Sequence, residues 1–212
     1  MERRGLFLGT AAFVVAAGNY FGSARQSTAG PRAGYFPNVA LRTHEDKRVL
    51  FYDDLIAGKF VLINFMYTGC GEICPGMTAN LVEVQRRLGE RVGRDIFMYS
   101  ITLQPELDTP EILKGYAETF DVQPGWLFLT GERTDIETLR RKLGFIDPDP
   151  VVDGDLKQHI GVVKFGIERL DRWAGCPALT TPEQIVRSIL SMEGPKGKSA
   201  ASRKPSTEEH RG

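Results

Sequence analysis

The sequence predicts an α/β fold: a central sheet flanked by helices and led by an N-terminal β-hairpin. Three observations predict it. Short apolar runs lack helical period, amphipathic segments of helical period alternate with them, and glycine or proline stands at the boundaries. FVLINFM at 60–66, between Gly58 and Gly69, reads as a buried central strand. In the segment after it, Met77, Leu81, Val84 and Leu88 recur at helical spacing up to Gly89, giving an amphipathic helix that starts at the 70–75 segment CGEICP. DIFMYSIT at 95–102 is a second buried strand, and Asp108-Thr109-Pro110-Glu111 supplies an N-cap pattern for a helix to Phe120. WLFLT at 126–130 is a third strand, followed by a helix over 134–143 that ends at Gly144. Upstream, 38–43 and 48–52 flank His44-Glu45-Asp46-Lys47 like two strands and a turn. DPDPVVDG at 147–154 carries two prolines and reads as a surface loop without regular structure. Two strands, 160–167 and 169–173, and a helix over 182–192 complete the domain. This alternation implies helices on both sheet faces and right-handed crossovers, with ligands bound beyond the carboxyl ends of the strands.

The ends differ in kind from the middle. Residues 1–24 open with Glu2-Arg3-Arg4 and continue into GLFLGTAAFVVAAG, a positive region before an apolar one, as in an export signal or a membrane anchor. Residues 25–34 read as a polar linker, 35–192 as the folded domain, and 193–212 as a polar, lysine-rich disordered tail. Lysine plus arginine equals aspartate plus glutamate at 27 each, so no global field favours nucleic acid. Three cysteines are too few for a disulfide scaffold, and the fold must rest on apolar burial.

Placement of those cysteines points to chemistry. A cysteine at the entry to a helix meets unpaired N–H donors and the positive end of the helix dipole, which favour its thiolate. A spacing of four brings Cys74 one turn on from Cys70, where the two sulfurs can close a disulfide or grip one metal ion. Two thiolates with an imidazole form a soft ligand set that suits copper better than zinc. His44 and His210 read as solvated polar residues. Cys176 reads as a lone buried thiol, Met66 and Met77 as core, and Glu72 as a solvent-facing carboxylate.

The segments FVLINFMYTGCGEICPGMTANL, SITLQPELDTPEILKGYAETF and WLFLTG, in this order, resemble the Sco (SenC) family of cytochrome oxidase assembly proteins, over residues 35–192. The resemblance implies a thioredoxin-like fold. It places the family cysteines on Cys70 and Cys74, the proline on Pro75, the preceding Tyr-Thr on Tyr67-Thr68, and Asp-Thr-Pro on Asp108-Thr109-Pro110. It further implies copper, as Cu(I) or Cu(II), held by Cys70, Cys74 and His159, and the copper-bearing subunit of cytochrome c oxidase as partner. The expected location is the periplasmic side of the inner membrane, reached through the N-terminal segment. Gly71 and Glu72 stand where the family has Pro and Asp, and Ile160 follows His159 where a short polar residue is usual.

Two alternative functions are expected of these residues: foremost, copper delivery to the dinuclear oxidase site, or else thiol–disulfide reduction of that site's cysteines, with Cys70 attacking and Cys74 resolving. A peroxidase of the same fold ranks below both, because Tyr67 occupies the position where such enzymes carry threonine.

Overall fold

The computed structural model describes residues 30–159 and 161–194. The expected export segment 1–24, half of the linker (25–29) and nearly all of the tail (195–212), with His210, lie outside the described residues.

Seven strands form one sheet: β1 (Ala40–Thr43), β2 (Arg48–Leu50), β3 (Phe60–Met66), β4 (Ile96–Thr102), β5 (Trp126–Gly131), β6 (Val162–Ile167) and β7 (Arg172–Pro177). Their spatial order is β2-β1-β5-β4-β3-β6-β7. The β3–β4 and β4–β5 pairs are parallel and the rest antiparallel, so the leading hairpin adds to one side and a second hairpin to the other. All seven residues of β3 are buried, as its unbroken apolar run requires of a strand covered on both faces.

The helices are α1 (Ile73–Leu88), α2 (Pro110–Thr119), α3 (Arg133–Lys142), α4 (Pro150–Asp153) and α5 (Pro182–Ser191). The Thr78 and Tyr116 hydroxyls meet at 3.0 Å between α1 and α2, and α5 packs on α1, so these three share a face. On the other face Phe65 of β3 meets Phe145, just beyond α3, with ring centroids 4.9 Å apart. Polar atoms inside this core are satisfied in a chain: Trp126 Nε1 donates to Ser100 Oγ at 2.9 Å, and Ser100 Oγ to Asn64 Oδ1 at 2.8 Å.

Several expectations change in detail. The 48–52 strand stops at Leu50 because the Asp54 carboxylate accepts its N–H at 2.7 Å, while Asn38 Oδ1 takes the N–H groups of Tyr52 and Asp53 at 3.1 Å. A π-helix, Phe51–Ile56, follows. Asp147–Gly154 is not wholly irregular, since α4 lies within it. Asp149 caps the helix by accepting from the Val151 N–H at 2.9 Å, and Pro150 sits in the first turn, where its missing N–H costs nothing. The 169–173 strand shifts to β7, because Glu168–Leu170 is a 3₁₀ turn closed by Asp171 at φ 49°. The helix after β4 is capped by Thr109, whose side chain accepts from the Ile112 N–H at 3.3 Å. His44 is not simply solvated: its Nδ1 accepts the Phe128 N–H at 3.1 Å and its N–H donates to the Phe128 carbonyl at 2.8 Å, fastening the first hairpin to β5. Residues 30–34 pack against the domain, with the Arg32 N–H donating to the buried Glu168 carboxylate at 3.2 Å.

Candidate functional site

β3 ends at Met66, and the chain turns through Tyr67, Thr68 and Gly69 before α1 begins at Ile73, beyond the carboxyl end of a central strand. The Cys70 N–H donates back to the Tyr67 carbonyl at 3.2 Å, and Cys70 Sγ accepts the Cys74 N–H at 3.4 Å. Cys74 and Pro75 occupy the first turn of α1, where proline sacrifices no helical hydrogen bond. Cys70 is 5% exposed and Cys74 fully buried, and both thiols are free. The structure therefore brings the two expected sulfurs together.

Their acidities diverge. Burial is the largest single influence on Cys70 and opposes its thiolate. The backbone N–H groups of Cys74, Glu72 and Ile73, with the Cys74 thiol, together outweigh it and bring the pKa down to about 7. Burial dominates at Cys74 and, with the nearby Cys70 and Asp108 charges, pushes its thiol up to about 12. The Cys70 thiolate accordingly fills as pH rises through about 7, while Cys74 stays protonated across the neutral range. Iodoacetamide labelling of the reduced chain is expected to go to Cys70 with a half-maximal rate near pH 7. A midpoint near the ordinary cysteine value of about 8.5 would remove the helix-terminus account.

Asp108 buttresses the motif. Its carboxylate is fully buried and accepts the Thr68 N–H at 3.2 Å, the Thr68 hydroxyl and the Thr102 hydroxyl, tying the segment before Cys70 to the end of β4. Glu72 is exposed as expected, yet it pairs with Lys157 at 3.1 Å and so joins the motif to a segment 85 residues on. Met66 and Met77 are fully buried, in keeping with core roles, while Cys176 is half-buried in β7 rather than fully enclosed.

His159 ends a short 3₁₀ segment, Leu156–His159, and is 3% exposed. Its ring turns to Arg140 and Asp153. Nε2 lies 2.7 Å from the Asp153 carbonyl oxygen, and Arg140 Nη1 lies 3.2 Å from Nδ1 and 2.9 Å from Nε2. Arg140 is itself buried and pairs with Glu137 at 2.7 Å and Asp153 at 2.8 Å. Arg140, with the Asp147 N–H, holds the Asp153 carboxyl well below the usual carboxylate range. Among the described residues no three His, Cys, Asp or Glu side chains converge as a metal-holding group. The two sulfurs fit a soft cation, and the imidazole is engaged elsewhere. Neither Arg140 nor Asp108 announces its role locally: the first pairs with a histidine 19 residues on, and the second reads as part of a helix cap.

Comparisons with known proteins bear on this geometry. The family model described as SCO1/SenC matches residues 40–154, which include Cys70 and Cys74 and end before His159. The SCO1 protein homolog of Bacillus subtilis is 34% identical over 89 residues, covering 41% of this chain and 46% of that protein. The SCO2-like protein RP587 of Rickettsia prowazekii is 35% identical over 98 residues, covering 44% of each. The match thus spans less than half the length of these curated relatives. Among solved structures, ScoI of Bradyrhizobium japonicum with copper bound superposes at TM-score 0.56 with 25% identity, over 72% of this chain and 96% of that one. No described helix is long and apolar enough to cross a membrane.

Proposed function

Because this chain belongs to the SCO1/SenC family, we propose that it is a copper-binding assembly factor, taking copper as cargo and delivering it to, or preparing, the dinuclear copper site of cytochrome c oxidase. The observation that carries this reading is the buried Cys70–Cys74 pair at the start of α1, one sulfur already favoured as thiolate, since thiolates are the ligands a soft cation selects. The copper held by the Bradyrhizobium relative supports it. Cys70 and Cys74 would grip the ion, with His159 as third donor once its ring is free. Residues 1–24 would export or anchor the domain on the periplasmic side of the inner membrane, and the copper-bearing oxidase subunit would be the acceptor.

A second reading rests on the divergent acidities: an attacking Cys70 beside a protonated Cys74 is the arrangement of a thiol–disulfide reductase. The dithiol would give two electrons and two protons to a disulfide between the acceptor's copper-ligand cysteines, ending as a Cys70–Cys74 disulfide.

Titration of the reduced full-length chain with Cu(I) against a competing chelator tests the first reading. One tightly held equivalent is expected, and its loss in the Cys70→Ser/Cys74→Ser variant. An unchanged equivalent in that variant would move the metal away from the dithiol.

A further inference from the structure

His159 is shut away from the dithiol by its own partners, although the backbone that carries it is already at the motif. Two residues before it, Lys157 reaches the Glu72 carboxylate at 3.1 Å. Two residues after it, Gly161 lies so close to α1 that a Cβ there would sit 3.8 Å from Ile73 Cγ2. The Lys157 side chain and the Gly161 backbone thus reach the adjacent residues Glu72 and Ile73 between the two cysteines, while the ring between them points into the Arg140–Asp153 cluster.

The hydrogen bonds fix how the ring is occupied. Asp153 offers Nε2 a carbonyl oxygen at 2.7 Å, which only accepts, so Nε2 must carry the proton. Nδ1 then holds the lone pair, and Arg140 Nη1 lies against the ring, 3.2 Å from Nδ1 and 2.9 Å from Nε2, with its two protons directed to the Phe145 carbonyl at 2.6 Å and the Asp153 carboxylate at 2.8 Å. A metal ion needs one bare, reachable ring nitrogen, and here one is protonated and the other is buried beside the guanidinium. The guanidinium adds a fixed positive charge against the ring edge, which opposes approach of a cation. Glycines with left-handed backbone stand at both ends of the connecting segment, Gly144 at φ 73° and Gly161 at φ 87°.

We propose that Arg140 and the Asp153 carbonyl form a latch that keeps His159 closed to metal, and that breaking this latch, with little travel of the backbone, admits the imidazole to the cysteine site. This rests on the copper reading above and specifies what regulates its third donor. Arg140 acts as a positioning residue, and its strength lowers apparent copper affinity by the fraction of molecules with the ring closed.

The test uses the reduced full-length chain with Arg140→Met, Arg140→Lys, His159→Ala and the Arg140→Met/His159→Ala double. In metal-free protein, diethyl pyrocarbonate modification of His159, read by peptide mass, is expected to speed up about tenfold in Arg140→Met, because the ring loses the guanidinium packed against it and opens more often. His44 serves as the internal reference. Arg140→Lys, which keeps the charge without the planar fork, should fall between, and serves alone if the methionine variant does not fold. In Cu(I) competition, Arg140→Met should tighten binding about tenfold with His159 present and leave it unchanged in the His159→Ala background. Equal modification rates, or equal tightening without the histidine, overturn the latch. Accelerated modification in a chain that holds no Cu(I) would keep the latch and sink the copper reading, so the two can fail separately.

Discussion

Asp108→Ala is expected to lower stability by about 3 kcal/mol, because it strips the acceptor from the buried Thr102 hydroxyl, at about 1–3 kcal/mol when left unpaired, and from the half-buried Thr68 N–H and hydroxyl, which cost less each. For a domain of this size that corresponds to a fall of ~10 °C in Tm, read by circular dichroism of the reduced chain. Asp108→Asn should fare little better, since the amide turns a donor toward donors. The local effect separates this from ordinary core damage. Thr68 lies two residues before Cys70, and once released from Asp108 the turn no longer encloses Cys74. Cys74 should become labelled by iodoacetamide below the melting transition, which it resists in the parent chain. A Tm within about 2 °C of the parent, with Cys74 still protected, would mean that the buried carboxylate neither supports the fold nor shapes the motif.

What was legible in the sequence was whatever short-range pattern determines. β3, β4 and β5 lie within a residue or so of the runs 60–66, 95–102 and 126–130, because strands buried on both faces must be apolar throughout and the chain marks their ends with glycine and proline. The cysteine pair was legible for the same reason: strand, turn, two thiols and helix are contiguous in sequence. Legibility fell wherever a side chain overrode local pattern. Asp54 ends β2 by taking a ladder N–H, and Asp149 with Pro150 starts a helix inside a segment whose prolines read as breakers. It fell furthest at His159, the proposed third donor. The sequence places His159 on the returning loop, and its neighbours do reach the motif, but the direction of its ring depends on Arg140, which helical spacing sets on the apolar face with Ile136, Leu139 and Leu143 while nothing local says what it pairs with. Asp108 shows the converse. The stretch around it carried a helix-cap signal that Thr109 fulfils, leaving the carboxylate free for a contact that only the folded chain reveals.

The Cys74→Ser variant should divide copper carrier from reductase. If the chain reduces a disulfide, Cys70 must attack: at neutral pH its thiol is substantially ionised while Cys74 is held protonated, and the weaker nucleophilicity of the more acidic thiol offsets only part of that difference. The Cys70–acceptor bond forms as the acceptor S–S bond breaks, and one acceptor thiolate leaves. Burial still disfavours the Cys74 thiolate, but the Cys70 charge that also opposed it has gone, so Cys74 can now attack Cys70 and release the second acceptor thiol. With serine at 74 the reaction halts at the first bond. A stable mixed disulfide of Cys70 with a disulfide-bonded peptide of the acceptor's copper-binding segment should accumulate to one equivalent, and turnover should fall to background. Cys70→Ser should trap nothing. A parent chain that forms neither adduct nor Cys70–Cys74 disulfide, yet holds Cu(I) through both sulfurs, would leave metal delivery as the work of this site. Continued turnover with serine at 74 would show that the second thiol resolves nothing, since no described sulfur other than the half-buried Cys176 remains to do so.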